Sequence, residues 1–142
     1  MTAVRVARPG DRAKIEALLR GESLPLDGIE DHFARFVVAE EAGEVLGAAG
    51  LEVHGDYGLL RSVVVARSAK GRGIGRAVTD RVLEDAKARG LRAVYLLTTI
   101  AANYFELLGF VRVAREEVPV SLEGSRELQG ACPASAIVMR RA

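Results

Sequence analysis

"VVVARSAKGRGIGRAV", residues 63–78, joins an apolar run to a segment with helical spacing, and the join carries Gly71, Gly73 and Gly75 within five positions. Glycine weakens both strand and helix, and a plain turn is served by one or two. Three at alternate positions point to a backbone that something approaches closely, rather than to a turn alone. A strand, a glycine-rich loop and a helix start together make an anion site, because the free amides of the first helical turn and the helix dipole both favour negative charge there. Two phosphate-binding patterns are excluded. Gly-x4-Gly-Lys-Ser/Thr is absent. G-x-G-x-x-G/A fails in both registers, since Gly71 and Gly73 are followed by Arg76, and Gly73 and Gly75 by Val78. What remains is a basic-x-x-Gly-x-Gly run from Lys70 to Gly75.

Outward from that loop, periodicity predicts the neighbouring elements. Residues 57–66 read as a strand entering the loop, and Ile74, Ala77, Val78, Val82 and Ala86 give the following helix one wide apolar face, stopped at Gly90. Upstream, a strand over 3–8 precedes a helix capped by Asp11, a loop over 21–28 and a short helix over 29–36. Residues 35–53 read as two strands around a tight turn at Ala42-Gly43. Downstream come a buried strand (93–98), a short helix (100–110), a strand (111–118), an irregular stretch with a helical turn near 125–128, and a closing strand (135–141). The order β-α-α-β-β-β-α-β-α-β-β predicts an α/β (α+β) fold, a mixed central β-sheet flanked by helices on both faces.

The bulk properties narrow the classes. The 142 residues suit one domain over 1–142, and 49% of them are apolar, enough for a core. The formal charge of +1 gives no general attraction to nucleic acid or an anionic membrane. From the N-terminal residues neither a signal peptide nor a membrane span is expected. The one cysteine, Cys132, permits no internal disulfide, so a cytoplasmic protein is expected. His32 and His54 show no metal-ligand spacing, and no metal is expected; Cys132 alone is a poor chelator. A homodimer stays open.

The run 63–78, with "YFELLGF" (104–110), resembles the GCN5-related N-acetyltransferase (GNAT) superfamily, and the element order extends that resemblance over nearly the whole chain. Residues 50–65, 95–110 and 115–141 are similar to its arsenic-resistance N-acetyltransferase branch. The resemblance implies acetyl-CoA as cosubstrate and a small-molecule amine as acceptor. Backbone amides from Gly71 through Arg72, Gly73, Ile74 and Gly75 to Arg76 would hold its pyrophosphate. Lys70 stands at the loop start, where the superfamily has Arg or Gln. The backbone at Val63 and Val65 would hold the pantetheine arm and acetyl carbonyl. The superfamily's general acid is a tyrosine on the helix before "LGF". That position holds Phe105, and Tyr104, one residue or ~100° away on a helix, is the candidate. Thr98 and Thr99 end a strand beside the cleft, where they either bond cofactor and acceptor or cap the next helix.

The acceptor end is read from charges on apolar strands. Glu52, opposite Leu59 and near the superfamily's usual carboxylate, is the candidate base, against an exposed strand-end residue. Arg61, with Ser62 beside it, interrupts the next strand. On plain alternation it shares a face with Val63 and Val65, where a guanidinium would clamp an acidic acceptor, against an internal ion pair with Glu52. The leading expectation is an acetyl-CoA-dependent N-acetyltransferase with a link to arsenic or amino-acid-analogue resistance. The rival is a catalytically degenerate CoA-binding sensor or interaction domain.

Overall fold

The computed structural model describes residues 2–142. Its elements are β1 (Ala3–Val6), α1 (Arg12–Gly21), α2 (Ile29–His32), β2 (Phe36–Glu41), β3 (Glu44–His54), β4 (Tyr57–Val65), α3 (Ile74–Ala88), β5 (Ala93–Thr98), α4 (Ala102–Leu107), β6 (Val111–Val113) and β7 (Ile137–Arg141). The strands form one mixed sheet in the order β1-β2-β3-β4-β5-β7-β6. Neighbours are antiparallel except β4 and β5, which the α3 crossover makes parallel.

Alternation along the strands divides the core between the two faces. Val37, Ala49, Leu51, Leu60 and Leu96 pack against Ile74, Val78, Val82 and Ala86 of α3 and Phe105 of α4. On the other face Phe36, Val38, Ala48 and Val64 meet Ile15 and Leu19 of α1, and Leu59, Tyr95 and Val138 meet Leu122 of the segment between β6 and β7. The α3 face predicted from the apolar spacing is buried at Ile74, Val78, Val82 and Ala86, whereas Ala77, expected on it, is exposed and Thr79 is buried.

Three local details position the rest. Ala42 and Gly43 both have positive φ (52° and 79°), the paired left-handed geometry that matches strand twist in a tight hairpin. Gly47 sits beneath the start of α3: a β-carbon there would stand 2.7 Å from Ile74 Cγ2 and 3.0 Å from the Val64 carbonyl. Gly50 lies opposite Phe36, whose ring occupies the space a side chain would need.

Several boundaries depart from the periodicity: the strand expected over 3–8 ends at Val6, and the helix expected over 29–36 ends at His32, followed by a 3-10 turn over Phe33–Arg35. Asp11 makes no side-chain bond into α1; its carboxylate accepts from the Arg8 amide at 2.7 Å and pairs with Arg5 at 2.8 Å. The strand expected over 111–118 ends at Val113, because the Ala114 amide donates to Glu117 Oε1 (3.0 Å) and the chain turns helically over Arg115–Glu117.

Gly50→Ala forces a methyl group into the Phe36 ring. Overpacking of this kind costs about 1–3 kcal/mol, and urea unfolding should show a lower midpoint with an unchanged slope.

Candidate active site

β4 and β5 pair only at three rungs, Tyr57–Ala93, Gly58–Val94 and Leu59–Tyr95. Beyond them β4 continues along β3 while β5 continues along β7. Among the described residues no strand covers the other edge of β4 from Leu60 to Val65, so a cleft of ≈ 1210 Å³ opens between the two strands. Its walls include Leu60–Val65, Leu96–Ala101, the glycine loop and α4, and residues of the 22–27 and 127–136 segments complete the lining.

A β-bulge sits at the turning point. Ala48 pairs with Val64 and Gly50 with Arg61, so Ala49 alone faces both Ser62 and Val63. Ser62 has φ 58°, a strained conformation for a residue with a β-carbon. The extra residue bends β4 and reverses its alternation. Leu60, Val63 and Val65 all lie on the α3 side, whereas Leu59 and Val64 pack on the opposite face. This corrects the expectation that Arg61 shares the face of Val63 and Val65.

The three loop glycines have different causes. Gly71 and Gly73 have φ of 82° and 79°, and a β-carbon on either would meet nothing within 4 Å, so the loop is open above them. Gly73 is the N-cap of α3 and no side chain caps that helix, which leaves its first-turn amides available. Gly75 is set by Tyr104, since a β-carbon there would stand 2.5 Å from the tyrosine hydroxyl. The basic side chains have acidic partners: Lys70 Nζ lies 2.7 Å from Glu22, Arg72 3.0 Å from Glu41 and Arg76 3.9 Å from Asp80. Lys70, Ile74 and Arg76 line the cleft, and the side chain of Arg72 is turned away from it to Glu41.

At the bulge end Arg61 is enclosed. Its Nε donates to Ser62 Oγ (3.0 Å), Nη1 to the Asp27 carbonyl (2.6 Å) and Glu52 Oε2 (2.8 Å), and Nη2 to the Pro25 carbonyl (3.3 Å), with Glu127 Oε2 3.5 Å from Nη2. Four of the guanidinium's five N–H groups are hydrogen-bonded and Nη2 also faces Glu127, so no pair of donors is free for a bidentate clamp on an acidic acceptor. Glu52 has a fully buried side chain and lies behind Arg61, outside the cleft lining. Its Oε1 is 2.8 Å from His54 Nε2 and 3.6 Å from His32 Nε2. Burial pushes the Glu52 carboxyl up, but hydrogen bonds from His54, Arg61 and Ser125 outweigh it and hold the group below its ordinary value. The base expected to face the acceptor is thus the anionic partner of Arg61, the internal pair weighed against it from sequence.

His32, Glu52 and His54 bring donor atoms within 4.8 Å of one another, a grouping that linear spacing did not predict. Arg61 on the same carboxylate places a positive charge against any cation there, and His32 Nδ1 is buried without the outer partner that a metal-bound imidazole normally has. The donor set suits a hydrogen-bonded network rather than a metal.

Tyr104 lines the cleft, with its hydroxyl against Gly75 at the helix end and burial raising its pKa. Phe105 packs into the core on Phe110. Thr98 Oγ1 accepts from the Ala101 amide (3.0 Å) just before α4, whose N-cap Ala101 has no side-chain cap bond; Thr98 and Thr99 both line the cleft. Cys132 lines the cleft with its thiol pushed by burial up to about 12, hence protonated and a poor soft ligand. Glu127, which the sequence gave no reason to single out, also lines the cleft while only 4% exposed. Burial raises its carboxyl to about 7 against the opposing charge of Arg61.

Comparison with known proteins places this geometry. Residues 9–110 match the Acetyltransferase (GNAT) family. An amino-acid acetyltransferase of Neisseria meningitidis serogroup A is 27% identical over 128 residues, covering 82% of this chain; the chain spans 29% of that protein's length. N-acetylglutamate synthase from Neisseria gonorrhoeae, complexed with coenzyme A and N-acetyl-glutamate, shares the fold with a TM-score of 0.85 at 23% identity, over 99% of this chain and 35% of its own. A Mycobacterium tuberculosis protein in complex with CoA superposes with a TM-score of 0.82 at 25% identity, over 99% of this chain and 98% of its own.

Arg61→Ala leaves Glu52 buried and uncompensated. The expected loss is about 3–5 kcal/mol by chemical denaturation, and Glu52→Gln added to it should restore part of the loss by removing the stranded charge.

Proposed function

This chain belongs to the acetyltransferase (GNAT) family, and we propose that it is an acetyl-CoA-dependent N-acetyltransferase acting on the amino group of a small, amino-acid-like molecule. The observation that carries this reading is the cleft itself: an uncovered β4 edge, bent at a bulge, leads to a glycine loop and an uncapped helix start. The residues fit acetyl-CoA. A thioester arm laid along Val63 and Val65 finds peptide groups without a strand partner. Its pyrophosphate reaches a loop where Gly71 and Gly73 leave open space and the first amides of α3 are free. An amide near the bulge then polarises the acetyl carbonyl as the amine attacks, and binding of that oxygen accounts for strain at Ser62.

Acetyl-CoA supplies an activated acetyl group; the chain supplies alignment, desolvation and an acceptor pocket. The pocket lies at the bulge end, where Arg61, Glu127, Pro25 and Asp27 line the cleft. The relatives named amino-acid acetyltransferases and the neighbour crystallised with N-acetyl-glutamate support an amino-acid-like acceptor. The likeness of residues 50–65, 95–110 and 115–141 to the arsenic-resistance branch supports including arsenic- and phosphorus-containing amino-acid analogues among the acceptors. Residues 1–142 act, in this proposal, as one catalytic unit.

In this reading Tyr104 bounds the cofactor arm at the loop end, since its hydroxyl stands at Gly75, and the departing thiolate takes its proton from the attacking amine. The deciding experiment is thiol release from acetyl-CoA in the presence of amino acids and their arsenic and phosphorus analogues. Acetylation of at least one amine supports the enzyme; tight acetyl-CoA binding with no turnover supports a CoA-binding sensor instead. Gly73→Val should weaken acetyl-CoA binding about tenfold or more by calorimetry, because a branched side chain enters the open space and cannot hold positive φ. Tyr104→Phe should alter the Michaelis constant for acetyl-CoA while turnover falls far less than the ~10²-fold expected for loss of a general acid.

A further inference from the structure

Arg61 holds two carboxylates, and only one of them faces the cleft. Glu52 lies behind the guanidinium with both oxygens engaged, one by Arg61 and the other by His54. Glu127 stands on the cleft side, 3.5 Å from Arg61 Nη2, in the same lining as Ser62 at the bulge. The stretch that carries it, Glu127–Ala131, is an irregular turn broken at Gly130, whose φ is 119°. The Glu127 amide donates to Ser125 Oγ at 3.2 Å, which fixes where the side chain leaves the backbone.

We propose that Glu127 is the proton acceptor for the acceptor's ammonium group, and that Arg61 is the positioning residue that holds it at the bulge end of the cleft. This rests on the acetyltransferase reading above. The proton balance is complete without a further reagent. Glu127 carboxylate takes one proton from the ammonium, leaving a neutral amine. The amine nitrogen forms a bond to the acetyl carbon, the carbon–sulfur bond breaks, and the thiolate leaves with the second proton shed by that nitrogen. Glu127 then returns its proton to water, giving amide, free thiol and one proton.

The surroundings of Glu127 suit the task. Desolvation raises its carboxyl to about 7, opposed by Arg61 on β4 and reinforced by the charges of Glu52 on β3 and Asp27 in the 22–28 loop; the Cys132 thiol beside it is protonated. A base with a pKa near the working pH combines a sizeable ionised fraction with useful proton affinity. Of the other carboxylates in the cleft lining, Glu22 is bound to Lys70 at the loop end, and Asp27 meets Arg61 through its backbone carbonyl, not its carboxylate, so Glu127 is the one whose carboxylate lies against the guanidinium. Because the guanidinium is engaged by protein oxygens, the group Glu127 presents at this end of the cleft is, when ionised, anionic, which suits an ammonium.

The test compares the full chain with Glu127→Gln and Glu127→Asp in the thiol-release assay across pH 5.5–9, with acetyl-CoA affinity measured by calorimetry. In the parent, kcat/KM should rise with pH through an inflection near 7, as Glu127 ionises. Glu127→Gln should lower kcat/KM ~10²–10⁴-fold at pH 7 and abolish that inflection, leaving only the acceptor's own ionisation at higher pH. Glu127→Asp should restore part of the rate, and neither change should alter acetyl-CoA affinity more than about twofold. A Glu127→Gln variant that binds acetyl-CoA and keeps both near-normal turnover and the inflection overturns the proposal and leaves the acetyltransferase reading standing. A parent chain that acetylates no amine overturns both.

Discussion

The buried contact between Arg61 and Glu52 is the constraint to which the acceptor end of the molecule is tied. One guanidinium bonds its own strand through Ser62, the neighbouring strand through Glu52, the 22–28 loop through two carbonyls, and approaches the segment before β7 through Glu127. Burying two charges is costly, and such a pair adds little net stability over an apolar filling. Its value here is geometric. Four separate stretches of chain must reach their places before the charge is satisfied, so satisfying it fixes the shape of the pocket. His54 and Ser125 on Glu52 extend the same constraint one layer outward.

The bulge at Ser62 is the companion to that contact. A strand with strict alternation would put Arg61, Val63 and Val65 on one face, crowding a cation into the wall along α3. The inserted residue sends Arg61 to the α1 side, where oxygens await it, and keeps Val63 and Val65 on the α3 side. It also bends β4 away from β5 just beyond their third rung. The separation of the strands and the placement of the cation therefore have a common origin in one residue with positive φ.

The glycine loop depends on the sheet beneath it. Gly47 in β3 lets Ile74 sit close to the strand, which seats the first turn of α3 over the end of β4. Gly71 and Gly73 supply the left-handed backbone that turns the chain into that helix, and Gly75 makes room for Tyr104. Positive φ explains two of the three loop glycines, and packing against α4 explains the third.

The sequence by itself determined the sheet and helix order, the hairpin at Ala42-Gly43, the buried face of α3 and the glycine loop, because each follows from local spacing or from a backbone conformation that few residues adopt. Glu52 and Arg61 were also visible there, as charges on apolar strands, and so was the alternative that they pair with each other. The tertiary structure alone decided which face Arg61 occupies, since a bulge is a property of two paired strands and leaves the composition of either unchanged. It decided that His32, Glu52 and His54 meet, bringing α2 to β3 across a gap in sequence that no linear spacing encodes. And it decided the character of Glu127, a glutamate in an irregular polar stretch whose carboxyl becomes exceptional only once folding removes its water and sets it beside Arg61.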